Sequence, residues 1–374
     1  MIIKTDCKYF SGDRPCKPHK ERGKVCDTCD EYSPIKHKIL IIKLDAVGDV
    51  LRTTPILRPL KKAYPGTYVK WLTKTNAKDL FVNNEMVDEI MYFEDPAMTV
   101  NLSVEEFDIV INLDSSPISS ALASFSKGKI KFGFGVNSLG KVNTFNKEAE
   151  EWLIMGSFDS EKKKNNKTYQ QIIHEICKLP YEKGEIILTL DERDINFKKQ
   201  FIKKHKLENE KLIIGINAGA SDRWQFKKWR LNGYKELIKK LSGSYECKIL
   251  LFGGADEVEI NNELKKNNKN VIDTGSNNTI RQFIALMDIP RILITGDTLA
   301  LHVATGLKKK VVCLFGPTSH NEIEDYGRIT KIFPDMECLV CYKNKCDFNP
   351  NCMDLISVEM VYKAVKNLLN SLPS

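Results

Sequence analysis

Short apolar runs bounded by glycine, asparagine and aspartate alternate with amphipathic stretches along most of the chain. Such runs suit strands buried on both faces, and the amphipathic stretches between them are long enough for helices. In the first half, strands are expected at 38–44, 68–73, 89–93, 107–113 and 130–135, with helices near 50–63 and 115–126. The text YEKGEIILTLDERD at 181–194 reads as an extended piece entering a helix at 191–206, after which the alternation restarts. Strands follow at 211–217, 247–252, 291–295 and 310–315, with helices at 231–241, 255–266, 298–307 and 358–372. The lysine- and asparagine-rich stretch 160–167 reads as an exposed loop.

Strand–helix alternation implies parallel sheets with helices on both faces. Two such series within 374 residues imply an α/β protein of two Rossmann-like domains facing one another across a cleft. The expected division is a cysteine-rich segment at 1–36, a first domain at 37–185 and a second at 186–355, the latter carrying a cysteine-rich loop at 338–352. A closing helix within 356–374 is expected to cross back toward the first domain. Ligands of open α/β sheets gather at the carboxyl ends of the strands, so the loops after the strands are where chemistry is sought.

Composition changes this picture little. At 42% hydrophobic and 28% charged residues the chain is an ordinary globular one. Its longest apolar runs fall short of the roughly 20 residues that a bilayer requires. Lys4, Asp6, Lys8, Asp13 and Arg14 interrupt any N-terminal secretory signal, so a cytoplasmic location is expected. The net charge of +8, from 57 basic and 49 acidic residues, is spread without a long single-sign block. That is too mild to argue nucleic-acid binding, but it suits an anionic substrate or peripheral contact with the inner face of a membrane.

Eight of the eleven cysteines fall into two groups. Cys7, Cys16, Cys26 and Cys29 precede the first expected strand, and Cys338, Cys341, Cys346 and Cys352 follow the last. The second group, CLVCYKNKCDFNPNC, is spaced closely enough for four thiolates to converge on one soft ion. In a reducing compartment such spacing favours metal over disulfides. The expectation is a structural metal, zinc before iron or an iron–sulfur cluster, with free thiols or disulfides as the alternative. Cys177, Cys247 and Cys313 stand in apolar contexts and read as core residues.

Four phrases carry candidate chemistry. In LDAVGDVLRTTP, Asp49 stands just where a helix begins, so it is either a cap or a reactive carboxylate. In INAGASDRWQFKKWRLNGY a strand ends in a small-residue turn followed by basic residues, so Lys227 or Lys228 could meet a phosphate or simply face solvent. In LITGDTLALHVATGL, Asp297 and Thr298 open a helix that carries His302; a plain N-cap and a core histidine are the alternatives. In CLFGPTS the strand ends at Gly316–Pro317–Thr318, whose amides and hydroxyl could face a phosphate. Glu257, in FGGADEVE, is a candidate for ribose hydroxyls or an ordinary first-turn glutamate.

Taken in order, KLDAVGDVLRTTPILRPLKKAYP, GAS with FKKW, GDTLALH and LFGPT resemble glycosyltransferase family 9, the ADP-heptose–lipopolysaccharide heptosyltransferases, over about residues 38–370. The resemblance implies a GT-B fold, an acceptor domain first and a nucleotide-sugar donor domain second, and transfer with inversion. It implies Asp49 as general base beside Gly48, with Asp45 and Arg52 as further acceptor-side candidates. Lys227 would contact the donor diphosphate, and Asp297, Thr298 and His302 would lie at the donor site, with Thr318 and Glu257 completing it. ADP-heptose or a similar nucleotide sugar is the implied donor, and a lipopolysaccharide core, another glycan or a protein side chain the acceptor. Three departures stand out: Leu299 where a glycine is usual, Arg230 where a proline commonly follows the tryptophan, and an N-terminal cysteine segment outside the family core. No Asp-x-Asp pair occurs, so no catalytic metal is expected, and the first strand lacks the Gly-x-Gly-x-x-Gly turn of nicotinamide enzymes. A transferase of another nucleotide sugar and a non-catalytic, metal-stabilised binding protein are the rival readings.

Overall fold

In a computed structural model that describes residues 2–219 and 226–371, the apolar runs assemble into two sheets. The first holds β1 (His37–Ile42), β2 (Thr67–Thr73), β3 (Glu89–Tyr92), β4 (Glu106–Asn112), β5 (Lys127–Val136) and β6 (Val142–Thr144), in the order β3-β2-β1-β4-β5-β6. All of its pairs are parallel except the β5–β6 hairpin. The second holds β7 (Ile213–Asn217), β8 (Lys248–Phe252), β9 (Val271–Asp273), β10 (Ile292–Gly296), β11 (Lys310–Leu314) and β12 (Ile329–Ile332), ordered β12-β11-β10-β7-β8-β9 and parallel throughout. Both are doubly wound in the same sense, so each has one point where the winding reverses: between β1 and β4, and between β7 and β10.

Why β1 reads as an unbroken apolar run is visible in its packing. Ile39 and Ile41 join one core with Val50 and Leu51, while Leu40 and Ile42 join another with Met98, Leu102 and Ala123 on the opposite face. With both faces covered, no position from Ile39 to Ile42 is left for a polar side chain. The larger core continues from the first domain into the second, taking in Leu57, Tyr169, Leu301 and Phe315.

Several boundaries differ from expectation for identifiable reasons. The helix expected at 50–63 begins at Val47, where Asp49 accepts the N–H of Ala46 (3.4 Å). It then breaks into the 3-10 turn Thr54–Ile56 before resuming at Leu57–Ala63, because Pro55 has no N–H to continue the ladder. β6, β9 and β12 are only three or four residues long and carry too short an apolar pattern to be read. The supposed loop at 160–167 opens as the helix Asp159–Lys164, with acids in its first turn and lysines in its last, as the helix dipole favours.

The extended piece before the helix Glu192–Lys204 threads between the domains. Ile187 N–H donates to Thr54 Oγ1 (2.9 Å), and Arg328 pairs with Glu185 (2.6 Å). Asp191 and Asp194 then cap the helix reciprocally. The closing helix Val358–Asn370 does not supply the expected return to the first domain. It packs in the second, against the helix Leu231–Ser244 and strands β10–β12, through Val361, Ala364, Val365 and Leu368; position 372 of the expected helix lies outside the described residues.

Candidate functional site

The first domain delivers its carboxylate through the turn after β1. Asp114, at the end of β4, accepts from the N–H groups of Leu44 and Asp45 (both 3.3 Å), which fixes the turn across the reversal point of the sheet. The helix Val47–Thr53 starts there and places Gly48, Asp49 and Arg52 on the cleft. Arg52 Nε approaches Asp49 Oδ1 to 2.8 Å as an ion pair without the alignment of a hydrogen bond. The guanidinium lies 3.8 Å from the centre of the Tyr169 ring, a cation–π contact, and Tyr169 OH bonds Thr53 Oγ1 (2.6 Å). Burial works to raise the Asp49 pKa, but the charges of Arg52 and of buried Lys43 outweigh it and hold the carboxyl far below the usual range.

The second domain answers from the carboxyl edge of its own sheet. Lys227 Nζ reaches Asp297 Oδ2 (3.1 Å) just after β10, and the ammonium overcomes burial to keep Asp297 ionised below the ordinary carboxylate range. Thr298 precedes the helix Leu299–Gly306, and its hydroxyl meets Asn217 Nδ2 (3.4 Å) and Thr295 Oγ1 (3.2 Å). His302 stands on that helix directly against the first domain: a Cβ placed on Gly48 would lie 2.8 Å from His302 Cδ2. Burial, reinforced by Arg52, pushes the His302 imidazole down to about 4, so the ring is neutral at physiological pH.

These groups surround one cleft of about 690 Å³ that runs along the edge of the second sheet. At the β8–β9 end lie Gly253, Glu257, Ser276 and Asn278; at the centre, Asn217, Lys227, Asp297 and Thr298; and at the β11 end, Thr318, Glu322 and Tyr342. Asp49 and Arg52 close it from the first domain. Glu257 Oε2 accepts the Gly254 N–H (2.7 Å), and its side chain sits so close to Gly219 that a Cβ there would fall 2.0 Å from Oε1.

Gly48, Asp49, Arg52, Lys227, Glu257, Asp297, Thr298, His302 and Thr318 therefore meet on one cleft, although they are spread over some 270 positions of the chain. Asp45 does not join them. It is exposed and ion-paired with Lys74, outside the cleft. Arg230 is also elsewhere: it donates to the Asp354 carbonyl (2.9 Å), and its neighbour Trp229 is a core side chain bonded to the Ile356 carbonyl. Leu299 lines the cleft beside Gly48. The small-residue turn after β7 lies outside the described residues from 220 to 225. Glu322 and Tyr342 escaped the sequence reading, since no spacing marks them and Tyr342 is hidden among the cysteines. Burial raises the Glu322 pKa, with Asp297 and Asp49 adding to the effect against Arg52.

The cysteines divide differently. Cys177, Cys247 and Cys313 are core residues. Among the described residues no three histidine, cysteine or acidic side chains are arrayed to hold a metal, so neither four-cysteine group forms the expected ligand set. In the C-terminal group the Cys352 thiol is buried and pushed up to about 11, first by burial and then by its neighbours Cys341, Cys346 and Cys338. Cys7, Cys16, Cys26 and Cys29 are partly exposed thiols in a loop-rich segment with one short helix, Lys17–Arg22.

Two doubly wound domains whose reversal points face one another, with an anion supplied by one and a cation by the other, place the molecule in the two-domain, GT-B-like class of α/β proteins. Within that class the chain belongs to glycosyltransferase family 9 (heptosyltransferase), whose profile matches residues 97–351. It is 32% identical over 183 residues to lipooligosaccharide heptosyltransferase 2 of Campylobacter jejuni, an alignment covering 46% of this chain and 56% of that protein. The chain thus matches little more than half the length of that relative. Its fold is similar to the crystal structure of a family 9 glycosyltransferase from Veillonella parvula, with a TM-score of 0.73 at 19% identity over 90% of this chain and 98% of that one. It is also similar to the ADP-heptose LPS heptosyltransferase II of E. coli, with a TM-score of 0.64 at 20% identity over 89% and 98%.

Proposed function

We propose that this chain transfers a heptose from ADP-heptose to a hydroxyl of a lipopolysaccharide-type glycan, with inversion and without a catalytic metal. The observation that carries the reading is the meeting of Asp49 from one domain with Lys227 and Thr298 from the other around a single cleft. An inverting transfer needs that polarity. The acceptor oxygen attacks the anomeric carbon from the face opposite the diphosphate, so its proton must leave on one side while charge develops on the other. Asp49 takes the proton; Lys227, the Thr298 hydroxyl and the turn at Thr318 stabilise the departing diphosphate. Asp297 holds the lysine in place, and Glu257 stands at the nucleoside end.

The depressed pKa of Asp49 is compatible with this role if the proton moves late. A hydroxyl becomes strongly acidic as its oxygen bonds to the anomeric carbon, so an anion that is always available outweighs a strong base that is often protonated. No helix among the described residues is long and apolar enough to cross a membrane. A place of work on the cytoplasmic face of the membrane, where lipid-linked acceptors sit, is part of the proposal, and the net positive charge favours it. The two cysteine groups would hold structural zinc, or iron, only after side-chain rearrangement; elemental analysis of the purified protein tests that point by itself.

The deciding experiment offers ADP-heptose, and separately GDP- and UDP-sugars, together with heptose-deficient lipopolysaccharide cores and protein acceptors, and identifies products by mass spectrometry. A heptose added from ADP-heptose to the core is the expected result. Transfer from another nucleotide sugar or onto protein would redirect the assignment, and no product from any donor would leave a binding protein.

A further inference from the structure

The cleft has a direction, because the strand order of the second sheet sets it. The loops after β8 and β9 form one end, the reversal point between β7 and β10 the middle, and the loop after β11 the other end. If the donor diphosphate lies at Lys227 and Thr298 and the nucleoside at Glu257, as proposed above, the sugar can only extend toward β11 and Asp49. The groups waiting there are Glu322, Tyr342 and Ile323 from the second domain and Asp49 and Arg52 from the first.

Glu322 is built into this position from three sides. Its carbonyl accepts the N–H of Tyr169 (2.9 Å), the residue whose ring supports Arg52. Its carboxylate Oε1 accepts from Tyr342 OH (3.4 Å), and that phenol oxygen in turn accepts the Ser319 N–H (3.1 Å). Tyr342 N–H is itself tied to the Pro317 carbonyl (2.9 Å), so the cysteine-rich loop is clamped onto the turn after β11. Glu322 makes no ion pair within 4.0 Å among the described residues, whereas Asp49 and Asp297 each have one. A carboxylate offers about four acceptor positions, and here one long hydrogen bond occupies one of them. An acceptor-rich carboxylate without a direct ion pair at the end of a cleft suits a ligand that presents several neutral O–H donors, which a sugar does and a phosphate does not.

We propose that Glu322 recognises hydroxyl groups of the transferred sugar and that Tyr342 positions it, making this pair a sugar-specificity element supplied by the loop after β11 and the cysteine-rich loop. The proposal rests on the donor orientation proposed above. Its consequence is that the sugar's share of donor affinity, and not the nucleotide's, depends on the pair.

The test is calorimetric binding of ADP and ADP-heptose to the full-length protein and to Glu322→Gln and Tyr342→Phe, with GDP- and UDP-sugars and their diphosphates run alongside. The ratio of ADP-heptose affinity to ADP affinity is expected to fall about tenfold in Glu322→Gln and by a smaller factor in Tyr342→Phe, with ADP affinity unchanged in both. An unchanged ratio in both variants overturns the proposal, as does a parallel loss of ADP affinity, which would mark a role in the fold or the diphosphate site. Should the wild type gain affinity from the sugar of another nucleotide and none from heptose, the donor assignment fails, and the same ratio for that other donor decides the role of Glu322. If no sugar adds affinity in the wild type, both are overturned.

Discussion

Asp49 and Asp297 make an instructive pair. Each follows the strand at the reversal point of its sheet, each stands at a helix start, and each has its pKa lowered by an adjacent cation. Their partners differ. Asp49 is paired with Arg52 one turn along its own helix and keeps about a third of its side chain exposed to the cleft (33%), whereas Asp297 is paired with Lys227 from a separate loop and is more enclosed (19%). Arg52 faces Oδ1 and the Ala46 N–H takes one lone pair of Oδ2 at 3.4 Å, which leaves Asp49 acceptor capacity for an incoming group. The long-range pair uses Asp297 to hold a cation where a diphosphate would sit. In the proposed mechanism, one sequence device would therefore supply the proton acceptor on one side and the support for an electrophilic clamp on the other.

The largest effect that would separate the two is expected from Asp49→Asn. Turnover should fall a hundredfold or more, the usual scale for a lost general base, while ADP binding stays near wild type. Steady-state rates with matched ADP titrations check this, and normal turnover would reduce Asp49 to a cap. Lys227→Met comes next, with kcat/KM for the donor reduced by about ten- to a hundredfold, since a charge-assisted hydrogen bond to phosphate is lost and Asp297 is left buried without its cation. Here, in contrast to Asp49→Asn, ADP affinity must fall too.

Gly48→Ala tests the contact between the two regions. A methyl 2.8 Å from His302 must push the helices apart, which should cost about 1–3 kcal/mol in thermal or denaturant unfolding and lower activity with no group of the chemistry removed. A further effect is confined to acid pH. With its ordinary value of 6.5 lowered to about 4 by folding, His302 binds a proton in the unfolded chain before the folded one as pH falls. It therefore destabilises the fold progressively between pH 6.5 and 4, by up to about 3 kcal/mol, and has no effect above that window. His302→Gln should flatten the acid limb of the melting temperature against pH; an unchanged slope would place the titration elsewhere.

The α/β alternation was legible because strands covered on both faces must be apolar throughout, as Ile39–Ile42 are. β6, β9 and β12 were not, since edge strands of three or four residues leave little pattern, although β3, another edge strand of four residues, was legible. Among site residues, Gly48, Asp49, Asp297 and Thr298 stood out because strand-to-helix turns combine glycine, aspartate and threonine at fixed offsets. Asp45 carried the same signal and proved misleading: one residue before Ala46, its side chain turns outward to Lys74. The Asp354 carbonyl that captures Arg230 was likewise not legible from its position beside Trp229. Glu322 and Tyr342 left no trace, for what brings them to the cleft is the folding of one loop over another.

The sequence by itself determined the two doubly wound domains, the ordered motifs of a glycosyltransferase family and the strand ends that carry them, because burial and turn chemistry act over a few neighbouring residues. Only the tertiary structure decided which partner each charge received, that Gly48 must be bare to admit His302, and that a glutamate and a tyrosine from separate loops share one end of the cleft. Those outcomes depend on distances between elements far apart in the chain, and ion pairing, desolvation and close packing are functions of distance rather than of order.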